Sequence, residues 1–183
     1  MEEKTEIIHS SFWSNFFNSP SKRNDLLAAL HAVPVFSELE EKELALLTNR
    51  IHERKYLAGE YVFHQGDPGI GLYIIMEGEV VIKRNVENRL ITLADFVKND
   101  FFGELALIDG EKRSASAIAK TDLIVAAIFK PDLDEFVETY PKKGIKILWG
   151  INNLVTQRLR KLNEDHIALH NKILINSEND HGT

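Results

Sequence analysis

The sequence predicts an α+β protein: an antiparallel β jelly-roll barrel of about eight strands, with N-terminal helices before it and a long C-terminal coiled-coil helix after it. Three observations predict this. Short apolar or alternating runs recur between Lys55 and Phe129, each bounded by turn residues. The segment ahead of them carries helix periodicity and caps rather than alternation. Behind them, Ile145, Leu148, Asn152, Val155, Leu159, Leu162, His166, Leu169 and Ile173 follow one another at alternating spacings of 3 and 4, a four-heptad seam. The expected organisation is a helical extension over 1–30, a β-barrel domain over 31–141, a long helix over 142–175 and a polar, frayed tail over 176–183.

Residues 1–20 read as a helix with Phe12, Trp13, Phe16 and Phe17 on one broad face, suited to packing on the domain or a second subunit, or to docking another protein. A second short helix is expected from Asn24 to about His31, capped by Ser21 or Asn24, then a loop through Val33-Pro34-Val35-Phe36. Ser37 is expected to cap a helix from Glu38 to about Ile51, with Leu44, Leu47 and Ile51 on one side. The strand signals are Tyr61–His64, Leu72–Met76, Val80–Lys83, Leu90–Leu93, Ala115–Ala119 and Leu123–Phe129. Gly59, the turn Gly66-Asp67-Pro68-Gly69 and the tight hairpin at Glu77-Gly78 separate them. Pro131 starts a helix, Asp132–Tyr140, that Pro141 ends.

In the long helix after Gly144, Asn152 and His166 take a positions, where a polar residue fixes register and oligomeric state. Asp165 at g can pair with a protonated His170 at e of a second helix. A second apolar set, Ile147, Ile151 and Leu154, can face the domain while the a/d seam faces another helix. The expectation is a parallel homodimer.

Formal net charge is −6, from 28 acidic and 22 basic residues, so the surface as a whole does not advertise nucleic-acid binding. The absence of cysteine excludes a disulfide framework, a thiol nucleophile and a thiolate metal site. No run of about 18 apolar residues occurs, and no secretory leader is evident, so a soluble cytoplasmic protein without a membrane partner is expected.

Between the last two strand pairs lies Phe101–Ser116, which has the makings of an anion site. Gly103 lets backbone approach a ligand, and the N–H groups opening the turn Glu104–Ile108 favour negative charge. Arg113 adds a permanent cation whose planar fork suits phosphate. Glu104, an acceptor only, must serve a hydroxyl donor. One anion and one hydroxyl point to a sugar phosphate.

These residues resemble the cyclic-nucleotide-binding domain family, which includes catabolite-activator-type regulators, cyclic-AMP-dependent kinase regulatory subunits and nucleotide-gated channels. The likeness covers about residues 30 to 165: Gly59, Gly66-Asp67, Leu72-Tyr73-Ile74-Ile75, Glu77-Gly78, and the phosphate-binding cassette Phe102 to Ile108 followed by Arg113-Ser114-Ala115. The resemblance implies that Glu104 takes the ribose 2′-hydroxyl, that Arg113 pairs with the cyclic phosphate, and that backbone N–H groups around Leu105, Ala106 and Ala115 complete the cradle. Two positions depart from the family. Asn99 replaces a common glycine but tolerates a left-handed backbone, and Lys112 replaces a common proline, adding positive charge near the phosphate. For the base, Ser114 can bond the phosphate or a base edge, and alignment through Gln157-Arg158-Leu159 puts Leu162 and Asn163 at the base contact; an asparagine amide can pair with adenine. Cyclic AMP is favoured over cyclic GMP.

The leading expectation is therefore a stand-alone cyclic-nucleotide sensor, not an enzyme, whose ligand repositions the C-terminal helix toward an unknown downstream protein. A DNA-binding relative would carry a helix-turn-helix after the long helix, and only ten residues follow Ile173. A cupin-type metalloenzyme would need His-x-His on the strands; none occurs, and only His64 falls on an expected strand. The remaining alternative is a ligand-free scaffold that docks proteins.

Overall fold

The structure, a computed structural model, describes residues 20–108 and 110–180. The aromatic face at Phe12–Phe17 lies outside the described residues. The first helix, α1 (Pro20–Ala32), begins four residues before Asn24, with proline in its first turn, where a missing N–H costs nothing. A 3₁₀ turn follows (Pro34–Phe36), and the Ser37 hydroxyl closes it by donating to Pro34 O at 2.9 Å instead of capping a helix. The next helix, α2, is shorter than expected, Glu41–Leu47, and continues as a 3₁₀ turn over Thr48–Arg50. Its start is set at Glu40, whose N–H donates to the Glu43 carboxylate at 2.9 Å.

Eight strands follow: β1 (His52–Tyr56), β2 (Tyr61–Phe63), β3 (Gly71–Glu77), β4 (Val80–Val86), β5 (Arg89–Phe96), β6 (Phe101–Phe102), β7 (Ser116–Ala119) and β8 (Leu123–Phe129). They form two antiparallel four-stranded sheets, β1-β8-β3-β6 and β2-β7-β4-β5, rather than a closed barrel. Closure would need ladders between the sheets; instead β5 pairs only with β4, and β6 contributes two residues to the edge of β3. The β4–β5 hairpin turns through Glu87 (φ 49°) and Asn88 (φ 64°), and Asn99 (φ 73°) adopts the left-handed backbone expected of it.

β3 is buried along nearly its whole length because both its faces are covered. Leu72, Ile74 and Met76 join Leu26, Leu30, Phe36 and Phe136 in a core between sheet and helices. Tyr73 and Ile75 point the other way, into the space between the sheets, with Val80, Phe102, Ala117 and Val125.

After β7 and β8 come α4 (Lys130–Thr139) and α5 (Pro141–Asp180). The break between them is Tyr140 (φ −129°, ψ 69°), and Pro141 opens α5 as well as closing α4. The helix continues through Asn176–Asp180, which were expected to fray. Ile147 and Leu154 of α5 are buried against the domain. Gly150 lies between them at a close approach: a Cβ there would stand 2.4 Å from Val35 O and 2.7 Å from Pro34 O, so the helix seats directly on the 3₁₀ turn. From Val155 to Asn171 every residue is exposed, including Leu159, Leu162 and Leu169. At 1.5 Å per residue, residues 159–180, past the Arg158 contact with the domain, span about 33 Å. No helix among the described residues is long and apolar enough to cross a membrane.

Candidate functional site: a cavity between the cassette and the long helix

The short helix α3 (Leu105–Ile108) and the loop that returns from it to β7 enclose a cavity of ≈ 380 Å³ against the inner face of the second sheet. Phe63, Ile82, Phe96, Phe102, Leu105 and Ala115 make its apolar wall. Glu104, Glu111, Lys112, Arg113, Ser114 and Arg158 supply its polar groups, and Gly103 its floor. An apolar wall with a few converging charges is the usual make-up of a small-molecule site.

Arg113 is buried, and the backbone around it is clamped: its N–H donates to Asp67 O at 2.8 Å and its carbonyl accepts from Gly66 N–H at 2.9 Å. The guanidinium turns inward. One amino group donates to Gly103 O at 2.9 Å and the other to Gly71 O at 2.9 Å, while the guanidinium carbon Cζ lies over the Phe63 ring, 4.0 Å from its centroid. Gly103 (φ 78°) makes this seat available twice over, since a Cβ would stand 2.8 Å from the guanidinium and 3.0 Å from Gly71 O. Burial pushes the Arg113 pKa down, and Tyr73 and Glu104 pull it back up. The Tyr73 hydroxyl is pushed up by its own burial, against the opposing pull of Arg113. Nε of Arg113 is buried and has no hydrogen-bond partner among the described residues, so it can still donate to an acceptor.

Glu104 is likewise buried. Its Oε1 accepts a charge-assisted hydrogen bond from Arg158 of α5, and its carboxylate makes no other hydrogen bond among the described residues. One oxygen thus remains to accept from a hydroxyl. Leu105 and Ala106 open α3, where the first N–H groups of a helix have no intrahelical acceptor. Ser114 and Ala115 sit on the cavity wall beside Arg113.

The structure therefore brings together Gly103, Glu104, Leu105, Arg113, Ser114 and Ala115, with Ala106 in the same short helix. It does not bring Asn163 to the cavity of its own chain: Asn163 is exposed on α5 and absent from the lining. The residue that α5 does contribute, Arg158, is not among the site residues expected from the sequence. Its signal lay in the domain-facing set Ile147, Ile151, Leu154, which runs on by four residues to Arg158. At 3.6 residues per turn, that step is about 40° from the Leu154 direction, whereas Asn163 is about 180° from it.

The family model described as cyclic nucleotide-binding domain matches residues 53–140, which hold the cassette, Arg113 and both sheets almost entirely. Residues 53–140 of the chain belong to the cyclic nucleotide-binding domain family. A cAMP-dependent protein kinase regulatory subunit of Aspergillus niger is 38% identical over 102 residues, covering 55% of this chain and 24% of that protein. The crystal structure of the Thermus thermophilus catabolite activator protein is 31% identical, with a TM-score of 0.66 over 74% of this chain and 62% of that one. A cyclic nucleotide-binding domain from Methylobacillus flagellatus is 27% identical, with a TM-score of 0.67 over 75% of this chain and 78% of that one. The chain spans only about a quarter of the length of the curated kinase regulatory subunits that it matches. In this cyclic nucleotide-binding domain, no group of three or more His, Cys, Asp or Glu side chains among the described residues is placed to hold a metal ion.

Proposed function

We propose that the cavity binds a cyclic nucleotide, cyclic AMP in preference to cyclic GMP, and that the chain is a non-enzymatic regulatory sensor passing occupancy to a downstream protein through α5. One observation carries this reading: a buried guanidinium whose Nε has no partner among the described residues shares a cavity of ligand size with a buried carboxylate that has one oxygen unused among them. In this reading Arg113 holds the cyclic phosphate with the N–H groups of Leu105, Ala106 and Ala115, and Glu104 accepts from the ribose 2′-hydroxyl. Ser114 adds a hydroxyl to the phosphate or base. Among the described residues, the charged side chains lining the cavity, three cationic and two anionic, sum to +1, which suits a monoanionic phosphodiester better than a dianionic monoester.

Occupancy reaches α5 through the Glu104–Arg158 pair, which ties the cassette to the helix. A ligand drawn onto the cassette shifts the population of helix positions only as far as it favours one of them. A raised melting temperature is the expected signature of binding, with a gain of about 2.7 kcal/mol at a hundredfold excess of ligand over Kd. Cyclic AMP should raise the melt most, cyclic GMP less and 5′-AMP least. Unmoved melts with both cyclic nucleotides at millimolar concentration would remove the reading.

The exposed apolar seam of α5 favours a second element of the same reading, a parallel homodimer. In an in-register pair, each g residue faces the e residue of the following heptad in its partner. Arg158 occupies g and Asn163 occupies e, so a second copy would present its Asn163 beside the Arg158 that borders the cavity. Replacing Leu159 and Leu162 together with lysine should convert a dimer to a monomer in light scattering while leaving the melt of the sheet domain in place, because both side chains are already exposed in a single chain.

A further inference from the structure

Lys112 belongs to the rim of the cavity, and its backbone is as firmly fixed as that of Arg113. Pro68 and Lys112 form an isolated antiparallel bridge, flanked by Gly69 N–H donating to Glu111 O at 3.1 Å and Arg113 N–H donating to Asp67 O at 2.8 Å. Its side chain is another matter: it lines the cavity, is exposed, and makes no hydrogen bond or ion pair among the described residues. The other two cations of the lining are engaged, Arg113 with two main-chain carbonyls and a ring, Arg158 with Glu104. Among the described residues, Lys112 is the lining cation with no ion pair or hydrogen bond, at the position where the family resemblance leads one to expect an uncharged proline.

The setting makes that charge matter. The chain as a whole carries −6 and repels an approaching anion, and Glu111 lines the same cavity, so a cation at the mouth raises the local potential the ligand meets first against both. A mobile ammonium on a long stem contributes little to holding a bound group in one geometry, because it keeps its rotamer freedom and its water. Its effect falls on encounter.

We infer that Lys112 is the capture residue of the site: its ammonium draws the ligand phosphate to the rim and hands it to Arg113, setting the association rate and its salt dependence rather than the lifetime of the complex. This rests on the cyclic-nucleotide reading of the cavity. The test is stopped-flow binding of cyclic AMP carrying a fluorophore on its base, to wild type, Lys112→Gln and Lys112→Glu, at low and high ionic strength. At low salt the association rate should fall by roughly 3- to 10-fold for Lys112→Gln and further for Lys112→Glu, since rim charges act chiefly on association. The three rates should converge at high salt, where the Debye length shrinks to a few ångströms, and dissociation rates should stay within about twofold of one another. Melts of both variants should match the wild type, because the side chain is exposed and unpaired. Equal association rates at low salt, or a loss confined to faster dissociation, would overturn the inference while leaving the site intact. A wild type that shows no binding phase at either salt would overturn the cyclic-nucleotide reading itself, and the capture role with it.

Discussion

Arg113→Ala is expected to weaken cyclic AMP binding by roughly 10²- to 10³-fold, in the range of about 2–5 kcal/mol for removing one member of a buried, hydrogen-bonded charge pair. The loss has two parts. The ligand phosphate loses its fork of donors, and the carbonyls of Gly71 and Gly103 lose the amino groups that bond them at 2.9 Å each. The second part also lowers stability, by about 1–3 kcal/mol for each buried acceptor left unsatisfied. Arg113→Lys separates the two. It keeps the charge but has no planar fork to reach both carbonyls while presenting further N–H groups, so binding should be intermediate. Titration and thermal melts of both variants check this; a lysine variant as weak as the alanine one would show that fork geometry, not charge, dominates.

Breaking the Glu104–Arg158 pair should have the next largest effect. Glu104→Gln removes the charge from the acceptor assigned to the ribose hydroxyl, and hydrogen bonds to charged groups are worth about 1.5–3 kcal/mol, so affinity should fall roughly 10- to 100-fold. Arg158→Gln leaves the Glu104 carboxylate buried without its cation. Because the Arg158 side chain is 46% exposed and water screens the pair, the expected cost in stability is held to about 1–2 kcal/mol. The double variant Glu104→Gln/Arg158→Gln should recover most of that stability without recovering affinity. Melts and titrations over the full double-mutant cycle give the coupling. Simple additivity of the two stability losses would mean that the cassette and α5 are not linked through this pair.

Much of the arrangement was legible in the residues because it rests on local chemistry. The apolar runs of β3 and β8 and the glycine at 103 next to a carboxylate at 104 are consequences of backbone geometry and burial that a single segment displays by itself. The a/d seam of α5 was legible for the same reason, and the structure leaves that seam exposed. Boundaries set by small competitions were less so. Ser37 caps well in general, but its hydroxyl is taken by Pro34 O, and the capping role passes to the Glu40–Glu43 pair. β6 is two residues long, too short for any periodicity to register, and exists because Phe101 and Phe102 add to the edge of β3.

The site divided along the same line. Arg113 and Glu104 stand in the sequence as residue types, but the inward turn of the guanidinium depends on Gly71, 42 residues away. The partner of Glu104 lies 54 residues away on another element. Asn163 was placed by alignment along the helix, and helix periodicity turns it to the far side from Leu154.

Titration calorimetry of the purified chain with cyclic AMP decides whether this cavity is a cyclic-nucleotide site organised by Arg113. Saturable uptake of one nucleotide per chain is expected for the wild type, with a marked loss of affinity in Arg113→Ala under the same conditions. No uptake by a well-folded wild type at millimolar cyclic AMP or cyclic GMP, or undiminished uptake by Arg113→Ala, would contradict it.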